Sequence, residues 1–238
     1  MIRSLVATLA LAAALPAAAQ PSPRWGAFEL SFLGYRPNID GEFGGSGPFQ
    51  AAFGGKHNVM LRADLAKALL TGYGELDVGF GVGYWEKYGH GFDPPELGGG
   101  PSSDPTAIKI VPTRLSLTYR FDQLAEQFRW FPIAPYVRAS FERYNWWVNN
   151  GSGATAKAGS RSGYGATNGY SISGGFAFLL DAIDPGLARE MDRDSGINHT
   201  YLFVDFTKSY IRDFGSSGSW DLSPDRNVVV SGGILFVF

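Results

Sequence analysis

The sequence predicts an all-β fold, an eight-stranded antiparallel transmembrane β-barrel with a short periplasmic helix between strands six and seven. Three observations predict it. The last eleven residues, Val228 to Phe238, alternate at period two, with Val228, Val230, Ile234, Phe236 and Phe238 on one face, and they stop on an aromatic. A strand of that length, tilted by about 45°, spans a bilayer core. The chain also opens on an export leader: Arg3, an apolar run from Leu5 to Leu15, then Pro16-Ala17-Ala18-Ala19-Gln20 with small residues at a cleavage site. Between these two ends lie further segments of alternating hydrophobicity separated by turn residues, the pattern of a barrel wall. Residues 1–19 are therefore expected to be a signal peptide and 20–238 the barrel domain, placing the protein in a bacterial outer membrane.

Composition excludes several other classes. Removing Arg3 with the leader leaves 19 basic against 22 acidic residues, a net charge of −3, which is the wrong sign for a nucleic-acid surface. Cysteine is absent, so there is neither a disulfide framework nor a thiolate metal site. Mean hydropathy of −0.07 resembles that of a soluble protein, but a barrel averages the same way because half of each strand faces a polar lumen. The 32 glycines and 15% aromatic content favour the barrel. Past the leader, no apolar run is long enough for a membrane helix.

The elements follow in order. The first strand, about Trp25 to Tyr35, sets Phe28, Leu30 and Phe32 against Glu29 and Ser31. The second, about Asn58 to Ala66, sets Val59, Leu61, Ala63 and Leu65 against Arg62 and Asp64. In the third, about Tyr73 to Tyr88, Leu76, Val78, Phe80 and Val82 oppose Glu75, Asp77, Gly79 and Gly81. The fourth, about Ile108 to Phe121, alternates most clearly, with Leu115, Leu117 and Tyr119 opposite Arg114, Ser116, Thr118 and Arg120. The fifth spans about Ala134 to Val148, with Tyr136, Arg138, Ser140, Glu142 and Tyr144 on its polar face. The sixth, about Gly165 to Phe178, opposes Tyr170, Ile172 and Phe176 to Thr167, Ser171 and Ser173. The seventh, about His199 to Lys208, opposes Leu202, Val204 and Phe206 to Tyr201, Phe203 and Asp205. Val228 to Phe238 is the eighth.

The polar faces carry Glu29, Arg62, Asp64, Glu75, Asp77, Arg114, Arg120, Arg138, Glu142 and Asp205. Any of these placed singly toward lipid near the midplane would cost about 2–4 kcal/mol, so all ten are expected to point into the lumen. An eight-stranded barrel has room inside for side chains or one small ligand, and mixed charge in that space is expected to pair into an ionic plug. With the N-terminus periplasmic, the links 36–57, 89–107, 149–164 and 211–226 fall outside the cell, and all are rich in Gly, Ser, Pro or Asn. The periplasmic link 179–198 contains Asp184-Pro185, an N-cap followed by proline at the first helical position, and so predicts a short helix over Leu187 to Met191. Trp25, Tyr84, Trp85, Tyr88, Trp130, Phe131, Tyr144, Trp146, Trp147, Tyr170 and Tyr210 lie near strand ends, as interfacial girdles would.

Residues for chemistry are sparse. His57 and His90 fall in glycine-rich links and are expected to be solvated. His199 sits on lumen parity near the periplasmic mouth, either as a hydrogen-bonded structural residue or as a base acting with Ser171 or Ser173. Asp93, Glu96 and Asp104 could gather a divalent cation, but solvated charge accounts for them as well. No zinc or phosphate-binding spacing is present. Neither cofactor nor metal is expected.

Several phrases resemble one family: Gly34-Tyr-Arg-Pro-Asn-Ile-Asp40, Val111-Pro-Thr-Arg-Leu-Ser116 with Tyr119-Arg-Phe-Asp122, Pro132-Ile-Ala-Pro-Tyr-Val137, Gly174-Gly-Phe-Ala-Phe-Leu-Leu-Asp181 with Asp184-Pro185, and Gly196-Ile-Asn-His-Thr-Tyr-Leu-Phe203. In this order they resemble the outer-membrane β-barrel family first recognised in myxobacteria. The resemblance implies a location and a fold, and it brings no catalytic residue with it. The expectation is thus a non-enzymatic barrel with a structural or surface-binding role. Its partners would be outer-membrane lipids and lipopolysaccharide, with the barrel assembly machinery and periplasmic chaperones handling its insertion. Ile234, Phe236 and Phe238 would form the assembly signal. A lipid-modifying enzyme or a narrow passive pore is the alternative.

Overall fold

The computed structural model describes residues 23–44, 47–92, 100–128, 130–158, 161–216 and 218–238. Eight strands close into one barrel: β1 (Gly26–Tyr35), β2 (Asn58–Leu70), β3 (Glu75–Phe92), β4 (Pro101–Arg120), β5 (Ile133–Asn150), β6 (Tyr164–Leu179), β7 (His199–Ile211) and β8 (Val229–Val237). Each pairs antiparallel with its sequence neighbours, and β1 pairs with β8 to complete the ring. The closing seam runs from Ala27↔Val237 to Leu33↔Ser231. The last residue extends it: Phe238 donates its N–H to Gly26 O at 2.8 Å, accepts from Trp25 N at 2.6 Å, and lays its ring 5.7 Å from that of Trp25. Closure by the β1–β8 seam gives each of the eight strands a paired neighbour on both sides within the ring.

Alternation sends one set of side chains out and the other in. Phe32, Leu61, Phe80, Leu115, Val137, Ile172, Leu202 and Val230, one from each strand, are between 51% and 63% exposed on the outer surface. Among the described outward positions of the eight strands the charges stand only at the margins, Lys67 toward the end that holds the termini and Glu86, Lys109, Arg143 and Lys208 toward the opposite end. Between them the outward face carries only uncharged residues, among them Leu76 to Tyr84 on β3 and Val111 to Tyr119 on β4. Eight residue steps at about 3.3 Å cover roughly 26 Å of strand.

Among the described residues, three α-helices sit in the links. Two short ones, α1 (Pro48–Phe53) and α2 (Gln123–Gln127), carry no clear signal in the sequence. The third, α3 (Pro185–Ser195), forms after β6 where its cap signals lie. The Asp184 carboxylate accepts from Gly186 N and Leu187 N, both at 3.0 Å, Pro185 opens the first turn, and Gly196 takes the left-handed conformation at φ 70° that ends it.

The β3–β4 hairpin is longer than expected. Its ladder continues through Tyr88↔Ala107, Gly89↔Thr106 and His90↔Pro105 to Phe92↔Pro101, so most of the link placed at 89–107 is strand. Glycine and proline there read as loop, yet a register shift between His90 and Phe92 absorbs them. The neighbouring β5 supports the extension by pairing Asn150 with Thr106.

Candidate functional site

The barrel interior is stacked in three layers. The middle one is charged. Glu29, on β1, accepts from Arg138 through both of its oxygens and from Arg114 Nη2 at 3.2 Å. Arg114 also grips Asp64 in a two-point pair, Nε to Oδ1 at 2.6 Å and Nη2 to Oδ2 at 2.7 Å. That pairing depends on Gly81, because a Cβ there would run into the Asp64 carboxylate. Arg62 donates to Tyr144 Oη at 2.7 Å and lies 3.6 Å from Glu142, which also accepts from Ser171. Asp205 gathers hydroxyls from Tyr136, Thr207 and Ser231 and stands 3.8 Å from Arg138. Nearer the terminal end, Arg120 lies 2.9 Å from Glu75 and 3.9 Å from Asp77, over the ring of Tyr201. All ten charged residues named from the sequence are buried here, each no more than 8% exposed. Six acids face four arginines, and the hydroxyl donors on Glu142 and Asp205 serve the excess.

An apolar layer lies above, toward the loop end. Tyr35, Met60, Trp85, Ile108, Ile110, Tyr144, Ile211 and Leu222 are almost wholly buried, with Phe49 of α1 beside them. Trp85 stands edge-on to Tyr35 at 5.3 Å and donates to its carbonyl at 3.2 Å, while Tyr35 Oη donates to Leu222 O at 2.6 Å. Trp85 and Tyr144 were expected in the interfacial girdles, but the structure places them inside. Proximity to a strand end suggested a girdle, whereas parity decides: Tyr144 shares the face of Glu142, and Trp85 shares that of Gly83. Trp146 likewise packs against this inner layer. Tyr84, Tyr88, Trp25 and Trp130 are on the outside, from 46% to 80% exposed.

Two connecting segments roof this layer. Asp40 accepts from Phe49 N at 2.9 Å and Gln50 N at 2.7 Å, fixing the start of α1. Arg36 reaches Asp40 and Asp225, both at 3.3 Å, Asn38 Nδ2 donates to Asp221 at 3.1 Å, and His57 Nε2 meets Asp225 at 2.8 Å. His57 is therefore part of the roof's ion network rather than a freely solvated loop residue. His90 lies within β3 rather than in a loop.

The third layer closes the terminal end. Ala125 of α2 is 2% exposed and packs with Tyr136, Leu179, Tyr201, Phe203, Leu235 and Val237. Below it Arg24 joins Asp122 at 2.8 Å and Glu126 at 2.6 Å. Burial opposes the Arg24 charge, but the two carboxylates hold its pKa above the ordinary value. Burial, reinforced by Glu126, pushes the Asp122 carboxyl up despite its arginine neighbours. His199 completes the cluster: Nδ1 lies 2.7 Å from Asp181 and Nε2 lies 2.7 Å from Arg24 Nη2. A tautomer protonated at Nδ1 donates to Asp181 and accepts from Arg24.

The serine–histidine pairing weighed from the sequence does not form. Ser173 pairs in register with Thr207 and bonds its hydroxyl at 2.7 Å, while Ser171 pairs with Ser209. His199 opens β7 eight residues before Thr207, roughly 26 Å of strand away. Shared parity put these residues on one face, but register separates them along the barrel axis. Of the possible cation group, Asp104 lies on β4, and Asp93 and Glu96 fall outside the described residues.

No family model matches the chain and no curated protein matches it significantly, so the resemblance to the family first recognised in myxobacteria rests on the quoted motifs alone. Solved structures with a similar fold are small outer-membrane barrels. The N-terminal β-barrel domain of Pseudomonas aeruginosa OprF is 12% identical, with a TM-score of 0.39, covering 91% of this chain and 100% of that one. Neisserial surface protein A is 11% identical, with a TM-score of 0.40, over 92% of this chain and 97% of its own. A major outer membrane protein from Thermus thermophilus is 14% identical, with a TM-score of 0.38, over 90% and 98%. Likeness at this level is silent on activity.

Proposed function

We propose that this chain spans a bacterial outer membrane as a closed, non-conducting barrel, and that its role is structural or surface-binding rather than enzymatic. The observation that carries the reading is the pairing of two faces on the same strands: an outer belt whose only charges are at its margins, and an interior whose charges are paired and sealed above and below. Lipid is the solvent that such a belt fits, and outer-membrane lipids, lipopolysaccharide included, are its partners. Residues 1–19 direct export. Barrel assembly machinery then reads Ile234, Phe236 and Phe238, on the strand that closes the ring. Lys208, Arg143 and the roof segments face the outside of the cell, and the cluster around His199 faces the periplasm.

Cell fractionation tests location: the protein should sediment with the outer membrane and show heat-modifiable gel mobility, and recovery from the soluble periplasm without detergent would refute the reading. For the absence of catalysis, lipid A from a deletion strain should match the parent by mass spectrometry. A changed acyl pattern restored by the wild-type gene would contradict it.

A further inference from the structure

Against the paired upper ends of β5 and β6, bounded by residues 156–157 and 218–220, lies a cleft of about 650 Å³, within the usual size range of small-molecule sites. It opens above the sealed lumen, so the charged layer has no part in it. One wall is an indole pair: Trp220, from the segment before β8, stacks on Trp146 with ring centroids 4.1 Å apart and planes 20° from parallel. Trp220 remains 36% exposed. Glycine makes the arrangement possible, because a Cβ on Gly165 would stand 2.6 Å from Trp146 Cζ2 and would lift the ring off the strand.

The second feature is a polar group without a partner. Thr167 lines the same cleft, is 1% exposed, and its Oγ1 makes no hydrogen bond among the described residues. A buried hydroxyl left in that state is costly, and a ligand seated in the cleft against Thr167 is the group that could supply the missing bond. Ser162 and Lys157 add a hydroxyl and a cation on the same rim. Ser219 also lines it, with its hydrogen given to Asp213 at 2.6 Å, which leaves the oxygen able to accept.

We infer that this cleft binds a sugar ring. A pyranose has an apolar C–H face, which suits the indole plate, and a rim of hydroxyls, which can both donate to and accept from Thr167 and donate to Ser219. An acyl chain would cover the indoles and leave Thr167 unpaired. A flat aromatic ligand would do the same. The site goes beyond the structural role proposed above: its binding is measurable in detergent whatever membrane the barrel occupies, so failure here would leave the reading of the lumen and belt untouched.

The test uses the full folded chain in a detergent without a sugar headgroup, an alkyl amine oxide. It is titrated with the methyl glycosides of glucose, mannose and galactose, with N-acetylglucosamine and with glucuronate, by calorimetry and tryptophan fluorescence. Saturable binding of at least one sugar is expected, weakened at least tenfold in Trp220→Ala and several-fold in Thr167→Val, with gel mobility unchanged in both. Trp130→Ala, at the other end of the barrel, should bind like wild type. The near-isosteric Thr167→Val keeps the test open if the tryptophan variant fails to fold. Absence of saturable binding to every probe, or binding undiminished in both cleft variants, would overturn the inference.

Discussion

The charged middle of the lumen and the apolar layer beneath the roof fill the same tube and exclude water by opposite means. In the middle, charge is held by specific partners: Glu29 lies between Arg114 and Arg138, and removing it leaves both guanidiniums buried without their shared acceptor. Under the roof, Met60, Ile110 and Leu222 fill volume, and a missing side chain leaves a void rather than an orphaned charge. A paired interior is thus rigid and fragile, whereas an apolar one degrades gradually.

The largest effect should come from breaking the charged layer at its centre. Glu29→Ala leaves two buried guanidiniums without their shared acceptor and should lower unfolding stability by about 3–5 kcal/mol. Urea titration of the barrel in detergent reads this directly. A loss below that of an ordinary surface substitution would show that the layer is hydrated. Leu222→Ala tests the other layer. The residue hangs from a connecting segment that can settle into the space, so the loss should be toward the low end for such a change, about 2–3 kcal/mol. Unfolding curves of the two variants together decide whether the layers differ as described.

Deleting Phe238 sharpens the comparison from outside the lumen. Its ring rests on Trp25 at the end of the closing seam, and losing that contact is worth about 1–3 kcal/mol of apolar burial. If Phe238 belongs to the proposed assembly signal, pulse-chase fractionation should nevertheless show exported protein accumulating in the periplasm. Insertion at the wild-type level would reduce Phe238 to an ordinary strand end.

Much of this was legible in the chain. The alternation of Arg114, Ser116, Thr118 and Arg120 with Leu115, Leu117 and Tyr119 settles which face of β4 is inward, since period two admits only one assignment once lipid is on one side. The Asp184-Pro185 cap marks α3 because its signals lie within three residues. Legibility fails where long-range geometry decides. Which carboxylate meets which arginine depends on barrel shear: Asp64 and Arg114 are 50 residues apart and separated by β3. The roof was missed because Asp40 reaches the N–H groups of Phe49 and Gln50 across a glycine-rich link that reads as unstructured. The interior placement of Trp85 could have been read from its parity with Gly81 and Gly83.

A smaller effect separates the closure at the terminal end from both lumen layers. Because the folded protein holds the Asp122 carboxyl above its ordinary pKa, the folded state binds more protons than the unfolded one in the window just above the usual carboxylate range. Stability from this group is therefore full below that range and is lost as pH rises through the folded pKa. Asp122→Asn should flatten the fall in stability across that window, measured by thermal unfolding at a series of pH values. An unchanged slope would mean that another group governs it.

Conductance in planar bilayers tests the sealed lumen most directly. Purified protein should insert without stable ion-conducting steps, because the charged layer is closed above by Leu222 and the roof and below by Ala125 and α2. Large, stable, reproducible channels from the wild-type chain would contradict the account at its centre.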